Sequence, residues 1–174
     1  SVELPESDEE SQDAAFFDAD LDGDLDLYVS RHMAFWDTVT PEIAAGSRRG
    51  ATNRLYLNEA GVLVEAETAG VTDAASFQAV PIDADRDGDL DLYVVNDFGS
   101  NQLFERDRGA SFRAVDSSVC DPGAGMGASW GDVDGDGDVD LHVTNMYSSA
   151  GRRLAFQDSF GEGLGEEARR RVRG

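Results

Sequence analysis

Three nine-residue segments of the chain each carry five aspartates, spaced at every second position around one glycine as D-x-D-x-D-G-D-x-D. The first holds Asp18, Asp20, Asp22, Asp24 and Asp26, the second Asp83, Asp85, Asp87, Asp89 and Asp91, and the third Asp132, Asp134, Asp136, Asp138 and Asp140. Crowding of this kind is costly, since two carboxylates about 4 Å apart repel by roughly 4 kcal/mol at the effective dielectric of a protein surface. A solvated acidic loop scatters its acids without period. A fixed spacing, repeated three times, points instead to loops that gather around a cation. Hard oxygen donors with no cluster of His or Cys select calcium or magnesium over zinc or copper. A dense carboxylate cage favours calcium, because magnesium retains its waters.

Positions 1, 3 and 5 of each segment, with glycine at position 6 for the sharp turn, match the first half of an EF-hand loop. The second half departs from it. Position 12, where an EF-hand needs a bidentate Glu, is Val29, Val94 or Val143, and the flanks have the pattern of strands. Position 9 (Asp26, Asp91, Asp140) is therefore expected to supply the closing carboxylate, and position 7 (Asp24, Asp89, Asp138) its backbone carbonyl. All fifteen aspartates are metal-site candidates, for three Ca2+ ions in all, with affinities of about 0.1–1 mM as in extracellular modules.

The elements that must position these loops form an internal repeat. The copies start at Asp18, Asp83 and Asp132, 65 and 49 residues apart, and the likeness runs on through Leu27/Leu92/Leu141, Tyr28/Tyr93/His142 and Val29/Val94/Val143. Before the first loop stands "AAFF" and after it "LDLYVS", whose alternation sets Leu25, Leu27 and Val29 on one face and Asp26, Tyr28 and Ser30 on the other. Each loop thus closes a hairpin. A second hairpin follows in "NRLYLNEAGVLVEA" (53–66) and in "NQLFERDRGASFRAV" (101–115), each turning at a glycine. Four short antiparallel strands at a period near 50 are the arithmetic of a propeller blade. The expected fold is all-β, with about three blades (14–66, 76–115 and 126–156) belonging to a larger propeller, since three do not close a ring. Residues 1–13 read as an acidic, mobile lead-in. Residues 157–174 read as a polar tail with a short helix, its Glu166–Arg170 and Glu167–Arg171 spaced as i,i+4 pairs.

The three Asp loops with their "DLYV" or "DLHV" tails, "NRLYLNEAG", and "GMGASWGDVDGDGDVDLHVTNM" (125–146) resemble the FG-GAP/VCBS repeat family, found in the propellers of integrin α-subunits and in cartilage acidic protein and its bacterial relatives. The likeness spans about residues 14–156. It departs in the literal Phe-Gly and Gly-Ala-Pro signatures, which are only echoed at Phe98–Gly99 and Gly127–Ala128. The resemblance implies a calcium-binding propeller, extracellular, periplasmic or at the cell surface, that serves in adhesion or in contact with a protein or carbohydrate ligand.

Composition narrows the partners. Fourteen basic against thirty-six acidic residues leave a formal charge of −22, which opposes nucleic acid and anionic membrane surfaces. No apolar run is long enough to span a bilayer. Cys120 stands alone, so no disulfide within the chain can brace it, and a structural thiol is expected. The chain opens on Ser1 without a leader segment and reads as trimmed or processed, with further blades expected in the same parent chain. No Ser-His-Asp or Cys-His spacing stands out, and the repeated loops absorb the acids that could act as acid and base, so binding without turnover is expected. The alternative is a propeller part of a carbohydrate-active enzyme. The one segment without a repeated counterpart is the insertion 31–52, "RHMAFWDTVTPEIAAGSRRGAT". Long insertions in repeat folds often carry binding. His32, Phe35, Trp36, Arg48 and Arg49 are its candidate contacts, and a loop that merely covers the blade is the other reading.

Overall fold

The second acidic loop leads into an unbroken apolar run, residues 92–95, and burial on two sides accounts for it. A computed structural model of the chain describes residues 11–32, 51–66, 74–97, 99–120 and 124–146. Among the described residues are ten strands and no helix: β1 (Ser11–Phe17), β2 (Asp26–Arg31), β3 (Arg54–Glu59), β4 (Val62–Glu65), β5 (Ser76–Ile82), β6 (Asp91–Asn96), β7 (Gln102–Arg108), β8 (Ser111–Val115), β9 (Gly125–Gly131) and β10 (Asp140–Asn145). They form three antiparallel sheets, ordered β1-β2-β3-β4, β5-β6-β7-β8 and β9-β10. Sequence neighbours pair in order, which is the meander of a propeller blade. The hairpins close on the acidic loops, at Phe17 opposite Asp26, Ile82 opposite Asp91 and Gly131 opposite Asp140.

The blades stack face to face. β6 is buried along its whole length. Its Leu92 and Val94 join Phe17, Tyr28, Leu55 and Phe104 in a core shared with the first blade. Tyr93 and Val95 turn the other way, toward Trp130, Leu141 and Val143 of the third. Tyr93 meets Trp130 edge to face, with centroids 5.7 Å apart, and its hydroxyl donates to the Val119 carbonyl at 2.7 Å. The single-faced alternation expected for the first blade is therefore not what the structure has. Leu25 is 57% exposed, whereas Asp26, Tyr28 and Ser30 are buried together with Leu27.

The first strand of each blade lies on that of the next: β5 packs against β1 on one side and β9 on the other. A side-chain bond recurs at this seam. Asp13 Oδ2 accepts from Ala79 N at 3.2 Å, and 65 residues on Gln78 Oε1 accepts from Ala128 N at 2.7 Å. The far ends of the second strands are capped by repeated asparagines. Asn53 Oδ1 accepts from Arg31 N at 2.7 Å, and Asn101 Oδ1 from Asn96 N at 2.9 Å.

Residues 147–156 of the expected third blade, the tail 157–174, residues 1–10 of the lead-in and residues 33–50 of the insertion lie outside the described residues.

The third blade comes close to the second at Gly125. A Cβ there would lie 2.6 Å from Val95 Cγ1 and 2.7 Å from Asn101 Oδ1, whereas one at Gly131 on the same strand would meet nothing within 4 Å. Overpacking of this kind typically costs about 1–3 kcal/mol. Gly125→Ala should lower the urea midpoint by that equivalent with the m-value unchanged, and Gly131→Ala should leave it within about 0.5 kcal/mol. Equal midpoints for the two variants would show that this seam does not form in solution.

Candidate metal centres

Each loop brings the carboxylates of positions 1, 3 and 5 together. In Asp18/Asp20/Asp22, in Asp83/Asp85/Asp87 and in Asp132/Asp134/Asp136, one oxygen from each residue lies within 4.8 Å of the others. Backbone geometry does this. Positions 4 and 6 are left-handed in all three loops: Leu21 (φ 63) and Gly23 (φ 98), Arg86 (φ 65) and Gly88 (φ 95), Gly135 (φ 77) and Gly137 (φ 91). The glycine at position 6 was legible in the spacing. The second turn at position 4 was not, because Leu21 and Arg86 are side chains that rarely adopt it.

Backbone amides then take up part of the negative charge. The position-1 carboxylate accepts from the glycine at position 6, at 3.1 Å for Asp18, 3.2 Å for Asp83 and 3.0 Å for Asp132. Position 3 accepts from the amide of position 5, and position 5 from that of position 7, in every loop. The loops are thus tied internally, with ligand oxygens left facing one another.

Position 9 has a role that spacing did not reveal. Asp26 is 1% exposed. Its Oδ2 accepts from Ala19 N at 2.7 Å and its Oδ1 from Asn58 N at 2.9 Å. Asp91, also 1% exposed, accepts from Ala84 N and Arg106 N, both at 3.0 Å. Asp140 accepts from Val133 N at 3.0 Å. Each ties its loop to the sheet, and in the first two blades also to the third strand. A second lone pair on each oxygen keeps metal ligation compatible with these bonds.

The position-7 side chains part company. Asp89 Oδ2 lies 2.8 Å from Arg106 Nη1, and Asp138 pairs with Arg86 of the neighbouring loop. Asp24 has no ion pair among the described residues. Its carboxyl is pushed above the usual carboxylate range by burial first and then by the repulsion of Asp22, Asp26, Asp20 and Asp18. Burial likewise raises Asp26 and Asp91, against the lowering effect of their backbone donors.

The donor set fits a hard divalent ion. Three carboxylates converge in each loop, and Oδ1 of Asp83, at position 1 of the second, is a buried oxygen without a hydrogen-bond partner. Of the insertion residues proposed as ligand contacts, only His32 is described. It lies in the seam between the first two blades, with Nε2 3.0 Å from Asp97 Oδ2 and the ring stacked on Phe77 at 4.7 Å. Phe35, Trp36, Arg48 and Arg49 fall outside the described residues. His142 stands exposed on β10.

Stacked four-strand meanders with an acidic loop between the first two strands define a propeller-type repeat protein. Residues 83–143 match the family model of the FG-GAP-like repeat, so this stretch is similar to a repeat of that family. The match runs from the first aspartate of the second loop to β10, and residues 18–26 repeat the same loop geometry. Comparison with curated proteins gives no significant match.

The raised carboxyls set a pH dependence. A carboxyl whose folded pKa lies above its unfolded value of 3.8 contributes stability that is fully present below that value and is lost as pH rises through the folded one. In ion-free protein prepared on chelating resin, the melting temperature should therefore rise as pH falls from 7 to 5. With 2 mM calcium the trend should reverse, because protons then compete with the ion. Thermal scans at pH 7, 6 and 5 read both arms, and a fall in both would contradict the assignment.

Proposed function

We propose that the chain is a calcium-binding propeller module in which Ca2+ occupies the three acidic loops as a structural ion. The observation that carries this reading is the threefold convergence of position-1, -3 and -5 oxygens within 4.8 Å. The unpartnered buried Oδ1 of Asp83, a position-1 ligand, supports it. Position 7 would add its carbonyl, and position 9 would close the site while holding the loop to the sheet. Calcium at these affinities suits an extracellular, periplasmic or cell-surface setting, in keeping with the FG-GAP-like repeat. The role we infer is contact with a protein or carbohydrate ligand without turnover, the insertion 31–52 offering the surface and further blades of a parent chain completing the ring. No helix among the described residues is long and apolar enough to cross a membrane.

Calcium titration tests this directly. Three ions per chain are expected, and at 1 mM calcium with a dissociation constant near 0.1 mM each site adds roughly 1.4 kcal/mol to stability. No heat of binding, or a melting temperature unmoved by EGTA at pH 7.5, would remove the reading. Substitutions separate the roles within a loop. Asp22→Ala should lower the affinity of its loop at least tenfold with little effect on ion-free stability, because Asp22 is exposed. Asp24→Ala should leave affinity within about threefold, because position 7 binds through its carbonyl. Asp26→Ala should damage both, since two backbone donors lose their acceptor. Equal affinity losses for Asp22→Ala and Asp24→Ala would mean a diffuse negative field in place of fixed coordination.

A further inference from the structure

Superposing the two complete blades through their repeats sets "NRLYLNEAG" on "NQLFERDRG" and Asn58 on Arg106. The backbone amides of both residues do the same work, donating to the position-9 carboxylate of their own blade. Their side chains do not. Asn58 stays within its blade, donating to the Leu25 carbonyl at 3.3 Å and accepting from Gly61 N at 2.7 Å.

Arg106 reaches into the neighbouring blade. Its Nε donates to the carbonyls of Ala19 and of Gly109, both at 3.0 Å, and its Nη2 to the carbonyl of Asp20 at 3.3 Å. Its Nη1 holds Asp89 at 2.8 Å. The side chain is only 9% exposed, and that of Asp89 17%. One residue thus grips positions 2 and 3 of the first loop and positions 7 and 9 of the second. A pair this buried is weakly screened, and the planar five-donor fork of arginine fixes direction as well as charge. The contact of Arg86 with Asp138 links the second loop to the third, but its side chains are 53% and 64% exposed, where ion pairs contribute little.

We propose that Arg106 couples the cation sites of the first two loops, so that an ion in one raises the affinity of the other. The coupling rests on the calcium reading above. An ion in the second loop orders Asp89 and Asp91, and with them both the side chain and the backbone of Arg106. A fixed Arg106 holds the carbonyls beside Asp20, and the first loop then loses less freedom on closing around its own ion.

The test is a calorimetric calcium titration of the full chain with the third loop silenced by Asp136→Ala. It is compared with the one-loop proteins Asp87→Ala/Asp136→Ala and Asp22→Ala/Asp136→Ala. With a coupling of about fivefold, the lower end of the typical range, the two-loop protein should half-saturate at about twofold lower free calcium than the one-loop proteins. Adding Arg106→Gln should turn its curve into the sum of the two one-loop curves measured in the same background. Where Arg106→Gln does not fold, Arg106→Lys serves, keeping the charge but not the fork, and should cut the coupling below twofold. A simple sum with Arg106 present, or coupling that survives both substitutions, overturns the proposal. Absence of calcium uptake by every protein overturns the calcium reading, and the coupling with it. A second readout needs no ion: in calcium-free protein the NMR amide signals of Asp20 and Leu21, which follow the two gripped carbonyls, should shift on either substitution. Unmoved signals would likewise overturn it.

Discussion

A buried carboxylate is among the most expensive groups a fold can hold unless its lone pairs are met, and each complete blade places one at the root of its acidic loop. Asp26 and Asp91 are met by two backbone amides apiece, one from position 2 of the loop and one from the third strand. That arrangement pins loop, second strand and third strand to a single point. The orientation of the other four aspartates over the sheet follows from it. So does the rise in the pKa of Asp26 and Asp91, because burial outweighs what two neutral donors return. The same residue is therefore at once a part of the fold and the wall of a polyanionic loop.

Much of this was legible in the sequence. The threefold spacing located the loops, the glycine at position 6 located their turn, and turns at Gly61 and Gly109 located the outer hairpins, where φ is positive as expected. What stayed hidden depends on contacts between blades. Alternation in "LDLYVS" suggested one covered face, whereas Tyr28 and Ser30 are as buried as Leu27. The clamp at position 9 was invisible because a spacing pattern reports which carboxylates lie in a loop, not which amides they meet. Arg106 could have been found by laying the second hairpins on each other, where an arginine replaces Asn58, though its reach across the seam required coordinates.

The blades also differ in how they use equivalent positions, and these differences are where a repeat protein gains behaviour that a single repeat lacks. Among the described residues loop 1 leaves Asp24 without a cation, loop 2 neutralises Asp89 from within its own blade, and loop 3 takes a cation from the loop before it. Three loops of one pattern thus meet three electrostatic surroundings. Their intrinsic affinities need not be equal even though their ligand positions are.

The bond between first strands has a polarity. A side chain of one blade accepts from the backbone of the next, Asp13 from Ala79 and then Gln78 from Ala128. The giving and receiving surfaces differ, so the contact is heterologous, the type that generates a ring when its rotation closes and an open helix when it does not. Addition of blades is therefore head to tail, and a blade inserted in the reverse sense would find donor facing donor. The equivalent acceptor position in the third blade is Gly127, which has no side chain to offer. The directional bond is not handed on there, and whatever packs beyond that strand must be aligned by shape rather than by this hydrogen bond.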